Sequence, residues 1–297
     1  MAKARALDKR RKSIKNIRKI TRTMELVSTA QFRRAMDRAV AADSYTKRMV
    51  HLVSDLAKTG LDVSHPLLEE RSEPKNATML VLTANRGMCG GYNSSILRLA
   101  LQRYQELNDL IPNINIDVSG KRGISYMKYR KIDIDQSFDQ FDHKPAFDEI
   151  NEMAQRYLDA YLAGEIDRLE VAYCKFISMS KQYPVVETLL PMTEMKSDAD
   201  DDSSKPGGEK TNVEYEFLPS PQSILEEVVP NAFKVKLFKC FLDAAVSEQI
   251  ARMIAMKSAT ENADSMITTL TSTYNRARQS QITNEMLEVI SGANALN

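Results

Sequence analysis

Two stretches of the chain repeat apolar or small residues in alternating steps of three and four. The first row runs Ile14, Ile17, Thr21, Met24, Ser28, Gln31, Ala35, widened by Ile20 and Val27. The second runs Met253, Met256, Thr260, Ala263, Ile267, Leu270, Tyr274, Ala277, Gln281. That alternation is the seam of a left-handed coiled coil. Proline and glycine, the residues that most often break helices, are missing from Met1 to Thr59 and from Asn231 to Ser291. Each run, at a 1.5 Å rise per residue, reaches roughly 80–90 Å, against a radius of gyration of about 19 Å for a compact chain of this length. The pattern therefore predicts two long terminal helices that pair and protrude. Thr, Ser, Ala and Gln in the seam bury little area, so each layer stabilises modestly, as suits a pair braced by a surrounding partner. An ordinary helical bundle is the alternative. Pro230 is placed to open the second helix and Gly292 to cap it. Gly60 and Pro66 bracket the exit from the first.

Between the arms the period changes. Met79–Thr83, Ile114–Val118 and Leu169–Tyr173, extended through Ile177, read as strands; 94–106 and 147–162 read as amphipathic helices. Strands alternating with helices predict an α/β layer with a largely parallel sheet. Pro184, Pro191 and the Ser-, Gly- and acid-rich loop 196–212 break the pattern, and Val213–Phe217 alternates like an edge strand. The division that follows is 1–75 for the N-terminal helix, 76–220 for a Rossmann-like α/β domain, and 221–297 for the C-terminal helix.

Charge matters here as a map. The formal net charge of +1 hides a basic arm, with 15 Lys and Arg against 4 Asp and Glu in residues 1–50, and an acidic run at Asp198–Asp202. A basic arm suits nucleic acid, an anionic membrane or an acidic protein surface; a solvated helix face is the plain alternative. Cys89, Cys174 and Cys240 have an odd count and no metal-type spacing, which fits a reducing compartment. No apolar run approaches the roughly 20 residues of a bilayer span. His51, His65 and His143 read as surface or turn residues. The loop Asn85-Arg-Gly-Met-Cys-Gly-Gly91 stands where phosphate-binding loops stand, after a strand and before a helix. It lacks the endings and spacing of nucleotide motifs, and a tight turn explains it as well. No catalytic triad order, HExxH or CxxC occurs, so no catalytic, cofactor or metal site is read, and the arms read as contact surfaces.

Several blocks, in order along nearly the whole chain, resemble one family. Lys19–Val27, Arg86–Asn93, Ala251–Thr260, Tyr274–Gln279, and Ile282–Glu285 with Glu288 and Gly292-Ala293 are similar to the γ subunit of rotary ATP synthases. The resemblance implies a central-stalk rotor: an antiparallel coiled coil of the terminal helices inside a ring of α and β subunits. It also implies an α/β foot on the small ε subunit and the c-ring, driven by proton or sodium flow. Catalysis would lie on the β subunits and none on this chain, which would need no cofactor. The complex would sit on the cytoplasmic face of the bacterial inner membrane, this chain being held there only through its partners.

By the same resemblance, Arg278, Gln279 and Thr283 match positions that hydrogen-bond a β-subunit loop, and Met24 and Arg252 match positions near an acidic β helix-loop. Tyr215 matches a foot position near the c-ring, and Gly292–Asn297 a tip in an apolar bearing. Leu218 stands before Pro219 where many relatives carry an acid, so that foot contact is not expected of this chain. Loop 196–212 lacks the cysteine pair of the chloroplast branch, so thiol control of that kind is not expected. A nucleic-acid-binding coiled coil around Lys9–Lys12 would leave the α/β insert unexplained, and the expectation is no nucleic-acid partner.

Overall fold

Six of the seven residues of strand β1 (Asn76–Leu82) are buried, on both faces, which is why the sequence there is a continuous apolar run instead of an alternating one. In the computed structural model, which describes residues 2–58, 65–71, 73–141, 145–192 and 221–294, β1 is the centre of a five-stranded sheet. The order of elements is α1 (Ala2–Lys58), β1, α2 (Tyr92–Asn108), β2 (Asn113–Ser119), α3 (Lys121–Arg130), β3 (Gln136–Phe138), α4 (Phe147–Ala163), β4 (Arg168–Ser178), β5 (Lys181–Leu190) and α5 (Pro221–Asn294). The chain divides into two units: residues 1–30 with 252–297, and residues 31–251.

In the larger unit the strand order is β3-β2-β1-β4-β5. β1 pairs in parallel with β2 and β4, β2 in parallel with β3, and β5 returns antiparallel along β4. Alternate β1 residues supply opposite layers. Leu80 and Leu82 join Ile150, Leu158, Tyr161, Val229, Phe233 and Leu237 of α4 and α5 on one face. Met79 and Val81 join Ile96, Leu97, Val118 and Met127 on the α2 and α3 side. Each fully buried Leu or Ile contributes about 1.5–3 kcal/mol, so the three layers hold one another. Asp148 and Glu149 in the first turn of α4 and left-handed Gly164 at its end fit the helix dipole and a glycine C-cap. Buried hydrogen bonds fasten α5: Tyr92 Oη donates to Ala244 O at 3.0 Å, and Ser247 Oγ to Cys174 O at 3.2 Å. A third cluster of this unit packs Phe32, Ala35 and Ala39 of α1 on Leu242, Val246 and Ile250 of α5.

The two long terminal helices and the α/β sheet stand as expected. Several details differ. Pro184 does not interrupt the sheet: it lies within β5, opposite Cys174, on an edge strand that can do without one ladder donor. Pro230 lies inside α5, which already begins at Pro221, and Gly292 lies within its last turn instead of after it. His65 is a buried turn residue: its Nδ1 accepts from Leu67 N at 3.1 Å, capping the short turn Pro66–Leu68. β3, β5 and α3 answer to no element read from the sequence. The loop 196–212, the strand read at Val213–Phe217, and Tyr215 and Leu218 lie outside the described residues.

Candidate functional site

The smaller unit is a pair of helix segments, residues 2–30 of α1 and 252–294 of α5. Their cross-contacts fix the direction. Thr260 Oγ1 donates to Thr21 Oγ1 at 2.8 Å, Arg18 Nε lies 2.5 Å from Asp264 Oδ1, and the Arg11 guanidinium stacks 4.8 Å over the Tyr274 ring. Partner numbers rise along α5 as they fall along α1, so the pair is antiparallel. On α5 all nine seam positions from Met253 to Gln281 are buried or half-buried.

On α1 six of the seven expected seam positions are buried or half-buried, Met24 and Gln31 among them. Ile14 is half-buried and Thr21, Ser28 and Ala35 are buried, but Ile17 and Ile20 are 48% and 59% exposed and Val27 is exposed as well. A row the sequence did not mark lies beside them: Ala4, Arg11 and Glu25 are half-buried and Phe32 and Ala39 buried, while Arg18, at the same spacing, is exposed and reaches Asp264 from the edge. The cause is the partner: α5 presents Tyr274 opposite Arg11 and Asp264 opposite Arg18, so one guanidinium lies over a ring face and the other beside a carboxylate. Exposed pairs such as Arg18 and Asp264 add little energy. Their effect is to fix which residues face each other. That row repeats every seven residues, a signal that was readable but concealed by its polarity.

The rest of this unit's surface mixes exposed apolar and basic side chains. Ile17, Ile20, Leu26 and Val27 of α1 and Ile254 and Met266 of α5 are exposed. So are Ile282, Met286, Leu287, Val289 and Ile290, past the last cross-contact. At the other extreme, Arg5, Lys9, Lys12 and Arg278 border a groove of about 430 Å³. Asp8 sits among them, and hydrogen bonds from Lys12, then Arg11, hold its carboxyl below the ordinary value. Of the residues singled out in the sequence, Arg278, Gln279 and Thr283 are exposed within two turns of each other, and Thr283 Oγ1 donates to Gln279 O at 3.0 Å. Met24 is half-buried, and Arg252 is 2% exposed. The structure thus gathers the first three and sets the other two apart.

In the larger unit, the glycine loop after β1 spends its polar groups on the fold. Asn85 Oδ1 accepts from Lys121 N at 3.0 Å, at the start of α3, while its Nδ2 donates to Asp139 O and Phe141 O. Asn93 Oδ1 accepts from Ala84 N at 2.9 Å. Met88 and Gly90 take positive φ, the tight-turn reading. Cys89 is buried. Behind α2, Glu170 on β4 is 1% exposed and receives Arg103 Nε and Nη2, both at 2.8 Å, and Arg168 Nε at 2.7 Å. Burial opposes its charge, but these bonds win and hold its pKa below the ordinary value. Among the described residues no group of His, Cys, Asp and Glu could hold a metal, and no helix is long and apolar enough to cross a membrane.

The sequence model of one family, described as ATP synthase, matches residues 3–296. The chain is 60% identical over 296 residues to the ATP synthase gamma chain of Rhodopirellula baltica, covering 100% of this chain and 99% of that one. It is 36% identical over 297 residues to the gamma chain of Leptospira biflexa, across the whole of both. Among solved structures it is similar to a chain of the Euglena gracilis mitochondrial ATP synthase OSCP/F1/c-ring assembly (TM-score 0.67, 18% identity, covering 99% of this chain and 95% of that one). It is also similar to a chain of the Tetrahymena thermophila mitochondrial central stalk and c-ring (TM-score 0.57, 18% identity, covering 81% and 99%). At these identities the structural likeness concerns the fold.

Proposed function

We propose a rotor function for this chain on the ground that it belongs to the family of ATP synthase gamma chains. In this reading it is the central stalk of a proton- or sodium-driven ATP synthase, turning between a membrane c-ring and a ring of α and β subunits. Catalysis is a property of the β subunits, and this chain carries torque. The observation that supports it best is the antiparallel pair of residues 2–30 and 252–294, with one buried and one exposed polar contact holding its register and apolar and basic side chains on its surface. Exposed apolar residues past the last cross-contact suit a bearing, since burial of apolar surface has no directional preference. Basic residues attract an acidic ring surface over a distance without locking one orientation.

Arg278, Gln279 and Thr283 then present one polar patch to a β-subunit loop. Met24 acts from the flank, and buried Arg252 acts through its charge more than by touch. The α/β unit serves as the foot on ε and the c-ring, with Tyr215 toward the c-ring, and the chain divides functionally at 1–75, 76–220 and 221–297. It is held on the cytoplasmic face of a bacterial inner membrane through these partners, and its basic arm serves protein contact with no nucleic acid. The test replaces Arg278 and Gln279 together with Ala and measures ATP synthesis in membrane vesicles. Charge-assisted hydrogen bonds are the strong ones, so coupling or assembly should fall at least about fivefold. Normal assembly and normal synthesis would refute the contact assignment.

A further inference from the structure

The α/β unit carries a second surface that neither the helix pair nor the sheet explains. Arg98 of α2 and Arg130 of α3 line one groove of about 460 Å³, floored by Leu97 and Leu101 and walled by Tyr126. Leu97 is buried, Leu101 and Tyr126 half-buried, and both arginines are exposed. No carboxylate pairs with either arginine among the described residues. The contrast is Arg103, one turn further along α2, whose guanidinium is fully engaged with Glu170 and Glu106. α3 reads Lys-Arg-Gly-Ile-Ser-Tyr-Met-Lys-Tyr-Arg, with Lys131 behind it and no acid. Basic residues near a helix C-terminus are favoured by its dipole, which accounts for Lys128 and Arg130. It does not account for Arg98, which stands in the first half of α2.

We propose that this groove docks a short acidic peptide segment of a subunit that rotates with this chain. Two guanidinium groups on separate helices can each take a carboxylate in the forked geometry that favours arginine over lysine. The leucine floor takes an aliphatic side chain between those acids, which a phosphate or a lipid headgroup does not offer. The volume lies in the range of small-ligand sites, so it admits a few side chains and not a domain face. The co-rotating partner follows from the rotor reading, on which this inference rests: a lasting attachment on a rotor must turn with it.

The test uses the assembled complex carrying Gln102→p-benzoylphenylalanine, at the exposed rim of the groove. After irradiation the adduct is mapped by mass spectrometry. The expected adduct is on a co-rotating subunit, in a peptide carrying Asp or Glu beside an aliphatic residue. Its yield should fall about tenfold with Arg98→Glu and Arg130→Glu together, and by a smaller factor with both changed to Lys, which keeps the charge and loses the fork. An adduct on lipid, on a stator subunit or on this chain itself overturns the proposal. So does no adduct, or a yield indifferent to charge reversal. Should the reversed variant fail to assemble, the adduct's address in the otherwise unaltered complex decides. Failure of the unaltered chain to co-purify with the α and β ring sinks the rotor reading instead.

Discussion

Arg103→Met tests whether the buried Glu170 is held by its guanidinium partners. The substitution keeps the aliphatic stem and removes two of the three charged bonds to a carboxylate that is 1% exposed. Removing one partner of a buried pair costs about 3–5 kcal/mol. Arg168 remains bonded, and the Arg103 side chain is itself 29% exposed, so solvent reaches part of the site. The expected loss at pH 7 is therefore about 2–4 kcal/mol. The pH dependence gives a second reading. In the unaltered chain the folded-state pKa of Glu170 lies below its unfolded 4.5. Its contribution is present above that value and lost as pH falls through the lower folded one. Without Arg103, burial dominates and the folded pKa rises, so protonation relieves the buried charge and the deficit shrinks on acidification from pH 7. Urea unfolding can be followed by tyrosine fluorescence, since the chain has 11 tyrosines and no tryptophan. A loss under about 1 kcal/mol at pH 7, or a deficit that does not narrow toward pH 5, would refute the reasoning. Adding Glu170→Gln should recover most of the loss.

Other outcomes follow from single sites. Thr21→Val or Thr260→Val leaves one hydroxyl on its own helix carbonyl and should cost about 0.5–1.5 kcal/mol. The double replacement should cost less than the sum, and strictly additive losses in circular-dichroism melts would deny the cross-helix bond. Gly120→Ala puts a Cβ 2.1 Å from Thr83 O at a φ of +101°. It should cost more than about 2 kcal/mol, read as a lowered urea midpoint, and an unchanged midpoint would contradict the packing of α3 on β1.

What the sequence revealed depended on whether packing was written in apolar residues. The α5 seam was readable because Met253, Met256, Ile267 and Leu270 mark it. β1 was readable because burial on both faces leaves the unbroken apolar run Met79–Leu82, and β4 because Leu169 and Val171–Cys174 are apolar or aromatic around the single acid Glu170. The charged row of α1 was not, since Arg11 and Arg18 gain their seam positions from Tyr274 and Asp264, more than 240 residues away along the chain. α3 escaped because Gly123, normally a poor helix residue, is needed there: a Cβ would lie 2.6 Å from Thr83 Oγ1 and 2.7 Å from Val118. β5 escaped because its proline is harmless only at an edge. Of the proposed contact patch, the shared exposure of Arg278, Gln279 and Thr283 follows from their spacing on one helix. The burial of Arg252 does not, because it is set by packing around it.

All three native thiols are buried. The Cys240 thiol is pushed well above its ordinary value by burial, and burial likewise raises Cys174. Thiolate is the reactive form, so maleimides should find almost nothing on the folded chain. A single cysteine introduced on an exposed turn would then carry a dye or bead without the native ones first being removed, leaving the sequence otherwise intact for watching individual molecules turn.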